Sequence, residues 1–131
     1  MERHVRLLAI LASLWGALAT LVGVSLLLLA GGALAILLGP EGDAVALAAG
    51  LTATVFAAIG GFTLAWGLVH IWVAARLRRR HPLGRVVMLG LAVVNLLVFP
   101  FGTALGAYAL WILLANEGRR LFETAAPEAI R

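Results

Sequence analysis

With 131 residues, 63% of them hydrophobic, and a mean hydropathy of +1.08, the chain carries more apolar surface than a soluble domain of its size can bury. Its net charge is +4 and every basic residue is arginine. These arginines sit at the ends of uncharged runs, so orientation in a bilayer and contact with anionic headgroups explain them better than nucleic acid does. Cysteine is absent, which excludes disulfides, thiolate catalysis and cysteine-ligated metals.

Residues 7–40, 44–75 and 86–116 contain no Asp, Glu, Lys or Arg. Each run exceeds the roughly 20 apolar residues that one helical crossing requires. Helices satisfy their own backbone hydrogen bonds in lipid, whereas a β-barrel would show short alternating segments. The expected fold is therefore an all-α integral membrane domain over 1–131. Its four transmembrane helices, near 5–38, 44–77, 83–99 and 102–122, form two hairpins, followed by a cytoplasmic tail over 123–131.

The chain starts with Met1-Glu2-Arg3-His4-Val5-Arg6 and runs into Leu7 to Leu38. A signal peptide has an apolar core of only about 7–15 residues, so this longer run reads as a retained first helix despite the small-residue pattern Ala17-Leu18-Ala19. Thirty-four residues at ~1.5 Å each reach about 51 Å, against a hydrocarbon core of ~30 Å. Gly31-Gly32 is the natural place for this helix to end or bend. The turn Pro40-Glu41-Gly42-Asp43 lacks positive charge, which places it outside the cytoplasm. The second run has the same excess, so both helices carry surplus apolar length near the outer turn. Steep tilt or a covering partner would accommodate it.

Arg76-Leu77-Arg78-Arg79-Arg80-His81-Pro82-Leu83-Gly84-Arg85 holds five of the ten arginines and reads as the cytoplasmic loop joining the hairpins. Beyond it, Phe99-Pro100-Phe101-Gly102-Thr103 marks a turn, because Pro removes a backbone donor and Gly relaxes the chain. Two segments around that turn return Arg119 and Arg120 to the cytoplasmic side, as the positive-inside rule prefers. At roughly 18 and 20 residues these segments barely span, and a re-entrant hairpin stays open beside full crossing. Arg76, Arg78, Arg79, Arg80, Arg85, Arg119 and Arg120 are the expected topology and lipid-headgroup residues.

Small residues recur at helix-packing spacing. The rows are Ala53, Ala57, Gly61 and Ala65 in the second run, Gly16 and Thr20 in the first, and Gly102 and Gly106 in the last. Such rows let helix backbones approach closely in lipid, either within one bundle or between protomers. Among polar residues, His70 reads as a hydrogen-bonded or interfacial side chain, with proton transfer and metal ligation as alternatives. Asn95 and Tyr108 flank the Pro100 turn and are placed to meet across it. The uncharged runs leave passive conduction as the transport chemistry to weigh, since coupled transport usually needs an embedded ionisable group. No Ser-His-Asp set, phosphate-binding glycine loop or metal motif occurs. No catalytic, cofactor or metal residue is expected.

The stretch Leu97-Val98-Phe99-Pro100-Phe101-Gly102-Thr103-Ala104-Leu105-Gly106-Ala107-Tyr108-Ala109-Leu110-Trp111 resembles the final hairpin of small bacterial four-helix membrane proteins of unassigned activity. Those carry a Pro-x-Gly-Thr turn followed by Leu-Gly-x-Tyr-x-Leu-Trp. The resemblance covers the last third of the chain and implies a bacterial inner-membrane protein. With arginine on one side, both termini are expected in the cytoplasm. The leading functional expectation is a non-enzymatic structural or accessory subunit that self-associates or joins a larger membrane complex. The alternative is a homo-oligomeric channel or passive transporter lined by Asn95, Thr103 and Tyr108, and lipid or quinone binding is a third reading. Expected partners are the bilayer, anionic headgroups and another membrane protein or further copies of the chain, with no nucleic acid.

Overall fold

The computed structural model describes residues 2–40 and 42–123; the expected tail beyond Glu123 lies outside them. The fold is all-α. Within the described residues the helices are α1 (Glu2–Leu37), α2 (Asp43–Arg78), α3 (Pro82–Asn95), α4 (Phe101–Leu114) and α5 (Asn116–Glu123). Both α1 and α2 are long and apolar enough to cross a membrane, whereas α3 and α4 are shorter apolar helices.

Gly31 and Gly32 do not interrupt α1, which continues to Leu37. Each glycine costs a helix only about 1 kcal/mol relative to alanine. A break would orphan several backbone donors and acceptors in an apolar setting, at a larger cost for each group. The helix is the cheaper state. The last hairpin also differs from expectation: α3 ends at Asn95, and the C-terminal helix is split at Ala115, whose ψ of 140° is extended.

The chain divides into two compact units, to both of which α1 and α2 contribute. One unit is Gly16–Leu68, a hairpin whose helices meet along a glycine seam. A Cβ built on Gly23 would lie 2.5 Å from Leu64 N, and one on Gly67 would lie 2.6 Å from Gly16 O and Thr20 N. Real Cβ atoms do not approach that closely, so glycine is what allows backbone to touch backbone here. Thr20 turns its hydroxyl back to Gly16 O at 2.8 Å. Ser25, Thr52 and Thr54, all exposed, do the same to the carbonyl four residues earlier. Their polarity is thus satisfied inside their own helices.

The other unit joins residues up to Trp15 with those from Val69 onward. Its core contains Leu8, Leu77, Met88, Ile112 and Leu113, all fully buried. α2 ends in a Schellman arrangement, with Arg80 N donating to Leu77 O and His81 N to Arg76 O, both at 3.0 Å. Arg80 takes the left-handed position, φ 52°, usually filled by glycine. His81 then caps α3, its Nδ1 accepting from Leu83 N at 3.3 Å, and Pro82 takes the first helical position, where a missing N–H costs nothing. α3 and α4 pack as an antiparallel hairpin: a Cβ on Gly106 would meet Ala92 O at 2.5 Å, and Arg85 Nε donates to Leu113 O at 3.1 Å. That guanidinium places positive charge on the carbonyl end of α4, where the helix dipole favours it.

Candidate functional sites

Two sites stand out in the unit formed by the chain ends of α1 and α2 with α3 to α5. The first is the buried pair His70 and Asn95, both fully enclosed. Asn95 Nδ2 lies 2.9 Å from His70 Nε2. With the amide in this orientation it donates, and the imidazole accepts as the Nδ1–H tautomer. The bond joins α2 to α3. Asn95 Oδ1 is buried without a hydrogen-bond partner, so this polar pair is only partly satisfied, a costly arrangement in low dielectric.

The expected Asn95–Tyr108 contact across the Pro100 turn does not form. Asn95 turns toward α2, and the Tyr108 hydroxyl instead lies 3.1 Å from His4 Nδ1. The antiparallel register explains it. Gly102 packs against Asn95 O and Val98, which sets Tyr108, almost two turns further along α4, away from Asn95. His4 also meets Trp111 edge-on, with ring centroids 5.9 Å apart. No signal in the sequence marked the His4–Tyr108–Trp111 cluster, because His4 lies more than 100 residues from the other two.

The second site is a cleft of about 690 Å³ between the start of α1, the end of α2 and α5. Arg3, Arg6, Arg78 and Arg80 line it together with Glu2. Arg80 Nη2 pairs with Glu2 Oε1 at 2.7 Å, and Arg78 Nη2 donates to Ser13 Oγ at 3.2 Å. Arg3 and Arg6 lie three apart on one face of α1 and make no hydrogen bond or ion pair among the described residues. The rest of the lining is apolar: Val5, Ile10, Leu77, Leu121 and Phe122. Of these, Val5, Leu77 and Phe122 are buried.

The arginines singled out from the sequence therefore divide. Arg78 and Arg80 line the cleft, while the Arg76 guanidinium sits 5.0 Å over the Trp72 ring, a cation–π contact. Arg85 is spent on the end of α4, and Arg79, Arg119 and Arg120 are exposed. Sequence reading did not assign Arg3 and Arg6 to a site. Their signal was the i, i+3 spacing in a short basic start, unreadable without knowing which elements close over it.

The small-residue rows divide as well. Gly16 and Thr20 lie in the α1–α2 seam, but they meet Gly67 on α2, and further along the seam Gly23 meets Gly60 and Leu64. Gly102 and Gly106 are buried in the α3–α4 contact. The row Ala53, Ala57, Gly61 and Ala65 is left largely open among the described residues: Ala57 and Ala65 are exposed, Ala53 and Gly61 are half-buried, and nothing lies within 4 Å of a Cβ built on Gly61. No group of His, Cys, Asp and Glu among the described residues could hold a metal ion. No family model matches the chain, and no curated protein or solved structure is similar to it.

Proposed function

We propose that the protein is an integral membrane protein acting as a structural or accessory subunit, which self-associates or packs into a larger membrane assembly. The observation that carries this reading is the exposure of its most apolar surface. In the most hydrophobic windows of α1 and α2, with mean hydropathies of 2.3 and 1.9, only 11% and 17% of residues are buried. A water-soluble protein rarely leaves contiguous apolar surface on that scale. The self-satisfied hydroxyls of Ser25, Thr52 and Thr54 suit the same surroundings, because a bilayer core offers no water to bond them.

In this reading four hydrophobic segments enter the inner membrane of a bacterium, with both termini on the cytoplasmic face beside the arginine-rich loop. α1 and α2 cross completely. At 14 residues each, α3 and α4 reach about 21 Å, short of a ~30 Å hydrocarbon core. Their apolar tip, with Leu97, Phe99 and Phe101 strongly exposed, ends inside the bilayer. The uncovered row through Ala57 and Gly61 is then available to another membrane helix.

The channel alternative draws less support. Asn95 is turned onto His70, Thr103 Oγ1 donates to Leu96 O at 2.9 Å, and the Tyr108 hydroxyl lies 3.1 Å from His4 Nδ1, so all three polar lining residues are engaged within the chain. Alkaline carbonate washing of cell membranes tests the membrane assignment, with retention in the pellet expected. Flux of small solutes into proteoliposomes, expected to equal that of empty liposomes, separates the subunit reading from the pore.

A further inference from the structure

We propose that the cleft between α1, α2 and α5 is a binding site for one anionic phospholipid. The phosphate would lie against Arg3, Arg6 and Arg78, and the start of an acyl chain along Ile10 and Leu121. This rests on the membrane reading above and adds a defined ligand site to it.

Charge and shape point the same way. Four arginines line the cleft against one carboxylate, and that carboxylate, Glu2, is already paired with Arg80 at 2.7 Å. The pair ties the start of α1 to the end of α2 and, among the described residues, leaves the guanidinium groups of Arg3 and Arg6 without a counter-charge. Arginine presents its donors in a planar fork that matches phosphate oxygens. Beside these charges Ile10 and Leu121 leave apolar side chain open, backed by the buried Val5, Leu77 and Phe122. A free phosphate would use the arginines and leave the apolar wall wet. A phospholipid uses both. At about 690 Å³ the cleft falls within the ~300–1,000 Å³ range of small-molecule sites, enough for a headgroup and the first part of its chains. Basic pockets between membrane helices on the cytoplasmic side are where anionic headgroups bind.

The test uses the full-length protein, purified in a neutral maltoside detergent, stripped of lipid and titrated with phosphatidylglycerol or phosphatidylcholine of identical acyl chains. Native mass spectrometry counts the adducts. The expected result is one phosphatidylglycerol per chain at concentrations where phosphatidylcholine adducts are at least about tenfold rarer. Arg6→Gln and Arg3→Gln should each lower the phosphatidylglycerol adduct about fivefold. Arg79→Gln removes the same charge outside the cleft and should leave it unchanged. Equal adducts with the two lipids, or equal losses in Arg79→Gln and Arg6→Gln, would overturn the site. Competition by millimolar inorganic phosphate or glycerol 3-phosphate as effective as that by the lipid would assign the cleft to a free phosphate and overturn the lipid. Carbonate washing is read separately: a washed protein that stays in the membrane pellet yet shows no lipid preference loses the site and keeps the membrane reading.

Discussion

Replacing Gly67 with alanine should loosen the α1–α2 hairpin, and replacing Gly61 should tighten it. A Cβ at residue 67 would sit 2.6 Å from both Gly16 O and Thr20 N, whereas one at residue 61 meets nothing within 4 Å. Both substitutions gain the same helix preference, about 1 kcal/mol over glycine. Only Gly67→Ala must also push two backbones apart, and overpacking of this kind costs about 1–3 kcal/mol. Contact with main chain on the facing helix, which cannot rotate away, places the cost at the upper end. The expectation is a loss of about 2 kcal/mol for Gly67→Ala against a gain of up to about 1 kcal/mol for Gly61→Ala. Unfolding of the purified protein by SDS in mixed micelles, followed by far-ultraviolet circular dichroism, measures both. If Gly67→Ala proved as stable as Gly61→Ala, the seam would not run through Gly67 and the reasoning would fail.

Other outcomes follow from the same geometry. Asn95→Leu removes the amide that donates to the buried His70 Nε2 and should cost about 1–3 kcal/mol in the same unfolding assay, while a His70→Leu and Asn95→Leu double variant should recover part of that loss; strict additivity would contradict the pairing. Ala57→Leu with Gly61→Leu should abolish assembly seen by crosslinking in membranes without lowering the stability of the isolated chain, which gains up to about 1 kcal/mol from the loss of Gly61. Unchanged crosslinking would remove this face from the account. Because the chain has no cysteine, Phe99→Cys introduces a unique thiol at the hairpin tip. A membrane-impermeant maleimide added from outside should not label it in intact spheroplasts, and efficient labelling would mean that α3 and α4 cross completely.

Much of the fold was legible because its signals are long. Uncharged runs located both 36-residue helices, and Pro100 with Gly102 located the α3–α4 turn. Gly31-Gly32 misled because glycine's local weakness was weighed without the alternative: in a helix this apolar, a break exposes backbone groups that nothing nearby can bond. Packing direction was less legible. Small residues fill α2 on several faces, so spacing alone could not separate the seam through Gly60 and Gly67 from the open row through Ala57 and Gly61. His70 and Asn95 were recognisable as polar residues needing partners, but pairing them required the crossing of α2 and α3, which no local pattern encodes. Arg3 and Arg6 acquired a shared environment only when α5 folded back beside α1, bringing Phe122 to the cleft from the far end of the chain.

The central claim is that the chain works through its helix surfaces as part of a larger membrane assembly. Native mass spectrometry of the protein, gently extracted from its own membranes, tests it most directly. The account predicts a discrete complex heavier than one chain, containing further copies or larger membrane subunits, and its loss in the Ala57→Leu with Gly61→Leu variant. A single chain carrying only lipid, at every extraction strength, would contradict it.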